Sequence, residues 1–243
     1  MRTAIIVQAR MTSTRLPGKI LKEVLGKPLL AYQLERLARV RRAGTVVIAT
    51  TVNAADEPVA ALCARLGVPC FRGSENDVLS RYYFAAAEHG ADTVVRVTSD
   101  CPLIDPAVID QVIALYEDNY PRYAYASNIG ARTYPRGMDT EVFPFSALAA
   151  AHAEAVLPGD REHVTPFIRR ENVRFPAANL SYGCDASGHR WTVDTPEDFM
   201  LIEKMLTALY SHNPAFTLED CLDLLAANPG WSAINEHIRQ KEG

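Results

Sequence analysis

The stretch IIVQARMTSTRLPGK, Ile5–Lys19, decides how the chain is read. An apolar, β-branched run, Ile5-Ile6-Val7, has the character of a buried strand and breaks off at Gln8. The loop that follows carries Arg10, Arg15 and Lys19, with Thr12, Ser13 and Thr14 between the two arginines. Pro17-Gly18 sets a turn just before Lys19. Backbone N–H groups in such a turn cup anionic oxygens, and Arg and Lys supply the countercharge. A loop with these cations elsewhere would read as solvated surface. At the carboxyl end of a first strand it reads as a cradle for phosphate. There is no G-x-G-x-x-G and no G-x-x-x-x-G-K-[ST], so neither dinucleotide nor Walker-type recognition is indicated.

Working outward, strand and helix patterns alternate. Thr3–Val7, Thr45–Thr50, Val68–Phe71 and Thr93–Thr98 read as strands; Leu29–Val40, Ala55–Leu66, Val78–His89 and Pro106–Asp118 read as helices. That order predicts an α/β fold, with a mostly parallel central sheet, helices on both faces and ligands at the carboxyl ends of the strands. The second half is less regular. Strands are expected near Tyr123–Ser127, Thr140–Phe143 and Arg190–Val193, and helices near Phe145–Ala155, Arg161–Arg170, Pro196–Tyr210 and Leu218–Ala227. Residues 1–243 read as one domain with a small inserted lobe around 120–190.

The formal net charge of -4 leaves no overall positive field for nucleic acid or anionic lipid, so an anion must meet a local cluster of cations. No apolar run approaches the roughly 20 residues that span a bilayer, and the opening run is too short for a signal peptide. Five cysteines without a C-x-x-C read as reduced thiols, which sets the expectation of a cytoplasmic protein.

The string Q-A-R-M-T-S-T-R-L-P-G-K resembles the opening signature of the sugar-acid cytidylyltransferases, the 3-deoxy-manno-octulosonate and acylneuraminate enzymes, and above all the branch of spore-coat polysaccharide biosynthesis protein F. The resemblance continues in order through Arg72–Tyr82 (RGSENDVLSRY), Ser99–Asp105 (SDCPLID), Arg161–Phe167 (REHVTPF) and Arg190–Asp198 (RWTVDTPED). It implies a Rossmann-like nucleotidyltransferase that uses CTP, a sugar-acid acceptor and Mg²⁺, and that forms a homodimer. Arg10, Arg15 and Lys19 would meet the CTP phosphates, Gln8, Ala9 and Ser13 would lie along the nucleotide, and Ser74 and Arg81 would lie against its cytidine half. Arg15 and Lys19 would carry the catalytic charge stabilisation. A metal-dependent glycosyltransferase of similar fold would show a D-x-D pair, which S-D-C-P lacks; a non-catalytic relative is the other alternative.

A nucleoside triphosphate brings about four negative charges, and Mg²⁺ is held by one or two carboxylates with substrate oxygens and water. Asp100 lies just beyond the strand Thr93–Thr98, and Asp194 ends the expected strand Arg190–Val193. The resemblance makes both of them metal ligands. Asp105, before Pro106, reads instead as a helix N-cap, and Thr195 and Asp198 read as the cap and third residue of the helix from Pro196. Asn76 or Asp77 caps the helix from Val78. The acceptor pocket implied by the resemblance takes Arg136, Asp139 and Glu141, where an arginine suits a sugar carboxylate. Arg161 and His163 either join that pocket or form the first turn of a helix capped by Asp160. No residue is singled out as general base.

Overall fold

Each β-branched run of the first half becomes a strand and each run of helical period a helix. The computed structural model describes residues 1–239. The chain forms β1 (Thr3–Gln8), a short hairpin of β2 (Glu23–Val24) and β3 (Lys27–Pro28), α1 (Leu29–Leu37), β4 (Thr45–Thr51), α2 (Glu57–Leu66), β5 (Cys70–Gly73), α3 (Val78–Glu88), β6 (Thr93–Thr98) and α4 (Pro106–Asn119). It continues through β7 (Tyr125–Ser127), β8 (Glu141–Pro144), α5 (Phe145–Glu154), α6 (Pro158–His163), α7 (Pro166–Arg170), β9 (Ala177–Asn179), α8 (Pro196–Tyr210), α9 (Leu218–Ala227) and α10 (Pro229–Ser232).

Apart from the hairpin, the strands join one sheet in the order β5-β4-β1-β6-β8-β7-β9. All run parallel except β8, which is antiparallel to both β6 and β7. After β5 the chain returns through α3 to place β6 on the other side of β1. The loops leaving β1 and β6 therefore part company at the carboxyl ends, where such sheets hold ligands.

Alternation along β1 divides the core. Ile5 and Val7 pack with Leu30, Leu34, Leu62 and Ile109 of α1, α2 and α4, and Ala4 and Ile6 pack with Leu79, Tyr82, Ala147 and Leu148 of α3 and α5. A third cluster joins Ile202, Met205 and Leu206 of α8 and Leu218 of α9 to Tyr32, Val193 and the fully buried Trp191. The capping residues serve as their sequence suggests. Asp77 accepts from Ser80 N at 2.9 Å, Asp105 from Ala107 N at 2.7 Å, and Thr195 and Asp198 close a capping box. None of the described helices is long and apolar enough to cross a membrane, and all five cysteines are free.

Three local expectations change. Arg190–Val193 forms no strand, because its backbone splits between two loops: Trp191 N donates to Arg136 O at 2.7 Å, and Val193 N donates to Asp100 O at 2.8 Å. The helix expected over Arg161–Arg170 divides into α6 and α7 at Val164, φ 71. Pro166 offers no N–H and crowds the residue before it, so one helix cannot run through. Asp160 therefore sits inside the first turn of α6 rather than capping a helix, and accepts both arms of Arg170 at 3.0 and 2.7 Å. β9, a short edge strand of Ala-Ala-Asn, carries no alternation by which to read it.

Candidate active site

The loop after β1 is held open by contacts to its flanks. Met11 N donates to the buried Asp56 carboxylate at 2.6 Å, and the Thr12 hydroxyl donates to Glu75 at 3.0 Å. Gly18 turns the chain at φ 67, where a Cβ would come within 3.3 Å of Met11 Cε, so glycine serves both the conformation and the close approach. The turn buries Ile20 and sends Lys19 back towards the strand ends.

There Lys19 meets both candidate metal ligands. Its Nζ donates to Asp100 Oδ2 and to Asp194 Oδ1, each at 2.7 Å. The other oxygen of Asp100 accepts from the Thr98 hydroxyl at 2.7 Å, and that of Asp194 is paired with Arg15 at 2.9 Å and Arg190 at 2.8 Å. Val193 N donates to Asp100 O, fastening the two acidic segments together through the backbone. Burial pushes the Asp100 carboxyl up, but the Lys19 charge and the hydrogen bonds from Lys19 and Thr98 outweigh it and hold the pKa at about 2. Burial also opposes the Lys19 ammonium, yet Asp100 and Asp194 outweigh it and raise its pKa. One monovalent cation is thus already shared by two carboxylates, one oxygen of each lying 2.7 Å from its nitrogen. Two carboxylates beside a cationic loop are a donor set that fits Mg²⁺, which completes its shell with phosphate oxygens and water.

A cavity of about 720 Å³ opens over this pair. Gln8, Arg10, Ser13, Arg15 and Lys19 line it from the first loop, Arg96, Thr98 and Asp100 from β6 and its exit, Arg136, Asp139 and His163 from the second half, and Asp194 closes it. Residues 4–221 match the family model described as cytidylyltransferase. The chain belongs to the cytidylyltransferase family. It is 32% identical over 240 residues to the spore coat polysaccharide biosynthesis protein SpsF of Bacillus subtilis, covering 95% of this chain and 97% of that one. It is 38% identical over 114 residues, 47% of this chain and 44% of the other, to a 3-deoxy-manno-octulosonate cytidylyltransferase of Geobacter metallireducens. A cytidylyltransferase structure from Leptospira borgpetersenii superposes with a TM-score of 0.92, at 33% identity over 100% of both chains.

As a cytidylyltransferase the protein is a nucleotidyl-transferring enzyme, and its residues divide by their distance from the cavity. Ala9 lies beneath the loop, fully buried, with its N–H donated to Ala49 O at 3.2 Å. Neither Ser74, which is exposed, nor Arg81 lines the cavity. Arg81 is fully buried and donates to Ser74 O at 2.8 Å, because the β5–α3 loop folds over its guanidinium. Glu141 is also buried and does not line the cavity, held by Tyr125 OH at 2.6 Å and by Arg96. Arg161 turns from the cavity to the α3 cap, with Nε 3.1 Å from Asp77 Oδ1 and NH1 2.8 Å from His152 O. Asp139 lines the cavity but is clamped by Arg132 at 2.6 and 2.7 Å.

Arg136 differs from these. Its guanidinium makes none of the salt bridges found among the described residues, and burial together with Arg132 and Arg190 lowers its pKa. A cation crowded by other cations is set to receive an anion. The loop that carries it passes so close to Trp191 that a Cβ on Gly137, φ 108, would lie 2.8 Å from the Trp191 carbonyl carbon and oxygen.

Arg96 and Arg190 escape a reading of the sequence motifs for function. Arg96 is a cation in the middle of TVVRVT, and a charge inside a run buried on both faces is the signal that could have found it. Arg190 carries no such signal, since its role depends on where the loop before α8 lands.

Proposed function

We propose that the protein transfers CMP from CTP to a sugar acid and releases pyrophosphate, serving the synthesis of a cell-surface polysaccharide. The observation that carries this is the Lys19 ammonium, 2.7 Å from Asp100 and 2.7 Å from Asp194, at the foot of an arginine-lined loop. The sugar-acid and polysaccharide parts are supported by what the relatives in Geobacter and Bacillus are named for.

In this reading Arg10, Arg15 and Lys19 bind the triphosphate, with Gln8 and Ser13 along the nucleotide, and Asp100 and Asp194 hold Mg²⁺. The acceptor binds across Arg136, Asp139 and His163, its carboxylate taken by the free fork of Arg136. The anomeric hydroxyl oxygen attacks the α-phosphorus in line; the bond to the β-phosphate bridge breaks, pyrophosphate departs with its electrons, and the hydroxyl proton is lost to water. Lys19 and Arg15 follow the charge onto the departing phosphates, and holding the reactants in line supplies much of the acceleration. Mg²⁺, when bound, neutralises phosphate charge and acidifies the acceptor hydroxyl. We carry a homodimer and a cytoplasmic setting as parts of the same proposal, the first tested by light scattering.

Pyrophosphate release is measured with CTP, Mg²⁺ and a panel of 2-keto-3-deoxy and nonulosonic acids, and with ATP, GTP and UTP in place of CTP. Release that requires both CTP and a sugar acid is the expected outcome. Release with neutral sugars alone would overturn the acceptor class, and preference for another nucleotide would overturn the donor.

A further inference from the structure

We infer that Asn235, beyond the last residue of the matched family region, is a positioning residue for the candidate metal ligand Asp194. The inference rests on the proposed pairing of Asp100 with Asp194. Asn235 is 3% exposed, although it lies in a C-terminal segment without a chemical motif. Its Nδ2 donates to Asp198 Oδ1 at 2.8 Å and to the Arg190 backbone oxygen at 2.9 Å. Asp198 is fully buried and is the fixed point of the relay. Its Oδ1 accepts from Arg190 Nε at 2.9 Å, and its Oδ2 accepts from Arg190 NH2 at 3.1 Å, Asp194 N at 2.9 Å and Thr195 N at 3.1 Å. Arg190 NH2 also reaches Asp194 Oδ2 at 2.8 Å.

Asp194 is therefore oriented twice from behind, once through its backbone N–H and once through its carboxylate. Both supports run through Asp198, and Asn235 braces Asp198 and Arg190 together. The capping box alone requires only Thr195 and Asp198. Neither Asn235 nor Arg190 is needed to start α8, so their buried amide and guanidinium answer a demand other than helix formation. Partners of this kind fix the direction of a metal-binding carboxylate, and losing one typically costs about 10–100-fold in metal affinity or activity.

The test compares Asn235→Leu, Asp194→Asn and Asp220→Ala with the wild type in the full-length protein. Asp220→Ala breaks the capping box of α9 without touching the relay, so it controls for general loss of stability. Manganese binding is followed by electron paramagnetic resonance in the presence of a non-hydrolysable CTP analogue, alongside thermal unfolding and separate kcat and KM values. Asn235→Leu is expected to weaken manganese binding about tenfold and to lower kcat by a similar factor, with KM for CTP within about twofold. Asp220→Ala is expected to lower the unfolding temperature and leave manganese affinity unchanged. If Asp194→Asn weakens manganese binding but Asn235→Leu lowers only the unfolding temperature, Asn235 is structural and the relay is overturned. If Asp194→Asn itself leaves manganese affinity intact, the two-aspartate pairing fails, and the relay fails with it. An Asn235→Leu protein that does not fold is replaced by Asn235→Ala, which removes the donor without adding bulk; unchanged manganese affinity there likewise overturns the relay.

Discussion

Lys19→Ala removes the cation on which both candidate metal carboxylates converge, and its consequences can be worked out. In catalysis, one preorganised charge-stabilising contact is worth on the order of 10²–10³ in turnover. In stability, Asp100 gives a separate measure. Its pKa is about 2 in the folded protein against an ordinary 3.8, and its side chain is 19% exposed, so its pairing contributes about 2 kcal/mol near neutral pH. A depressed carboxyl pKa gives stability that is complete above about pH 4 and is lost as pH falls through about 2. Without Lys19, burial still pushes the Asp100 carboxyl up while the chief opposing charge has gone. The variant should therefore be less stable than the wild type near neutral pH, and should lose less stability than the wild type, or gain some, as pH falls below about 4. Lys19 has the opposite sign: its raised pKa gives stability that is present below about 10.5 and is lost as pH rises above it.

The same variant also reports on the metal. With the ammonium gone, a divalent ion can occupy its place, so Mg²⁺ alone should raise the unfolding temperature of Lys19→Ala more than that of the wild type. The assays are thermal unfolding from pH 2 to 8 with and without Mg²⁺, and pyrophosphate release at saturating CTP and Mg²⁺. Turnover within threefold of wild type would refute the catalytic role of Lys19. An unchanged acid limb of the stability curve would refute the electrostatic account of Asp100.

Other variants probe the rest of the molecule. Arg136→Ala should raise KM for the sugar acid about 10–100-fold and leave KM for CTP within a factor of about two, as the loss of a bidentate charge-assisted pair implies; equal effects on both constants would move Arg136 out of the acceptor pocket. Asp105→Ala removes the α4 cap and also orphans the buried Leu218 N–H, which Asp105 Oδ2 accepts at 2.7 Å. Its expected cost is about 2–3 kcal/mol by denaturant unfolding, with kcat unchanged. Gly137→Ala combines φ 108 with a Cβ 2.8 Å from the Trp191 backbone. It should destabilise by about 2 kcal/mol or more and raise KM for the acceptor, because Arg136 moves with it; a variant as stable as wild type would show that the two loops can part.

Much of the site was legible before the structure, and the limits of that reading follow from particular residues. Arg10, Arg15 and Lys19 could be found because a buried strand ending in a cationic loop is unusual in itself. Asp105, Asp77, Thr195 and Asp198 could be read as caps because capping is a contact between residues close in sequence. Arg81, Glu141 and Arg161 were as charged and as near to motifs as the cavity residues. Their true partners, Ser74 O, Arg96 and Asp77, became known only once loops had folded over them.

By itself the sequence determined the alternation of strands and helices in the first half, the mostly parallel sheet that it implies, the cationic loop and the positions of the two aspartates. These depend on hydrophobic period, turn chemistry and local hydrogen bonds, which act over a few residues. Only the tertiary structure decided that Lys19 lies between Asp100 and Asp194, that Arg96 lines the cavity while Glu141 does not, and that Asn235 reaches back to Asp198. Each of these pairs residues far apart along the chain. Which of several equally polar side chains meets which is fixed by the packing of the three cores, not by any property of the residues taken one stretch at a time.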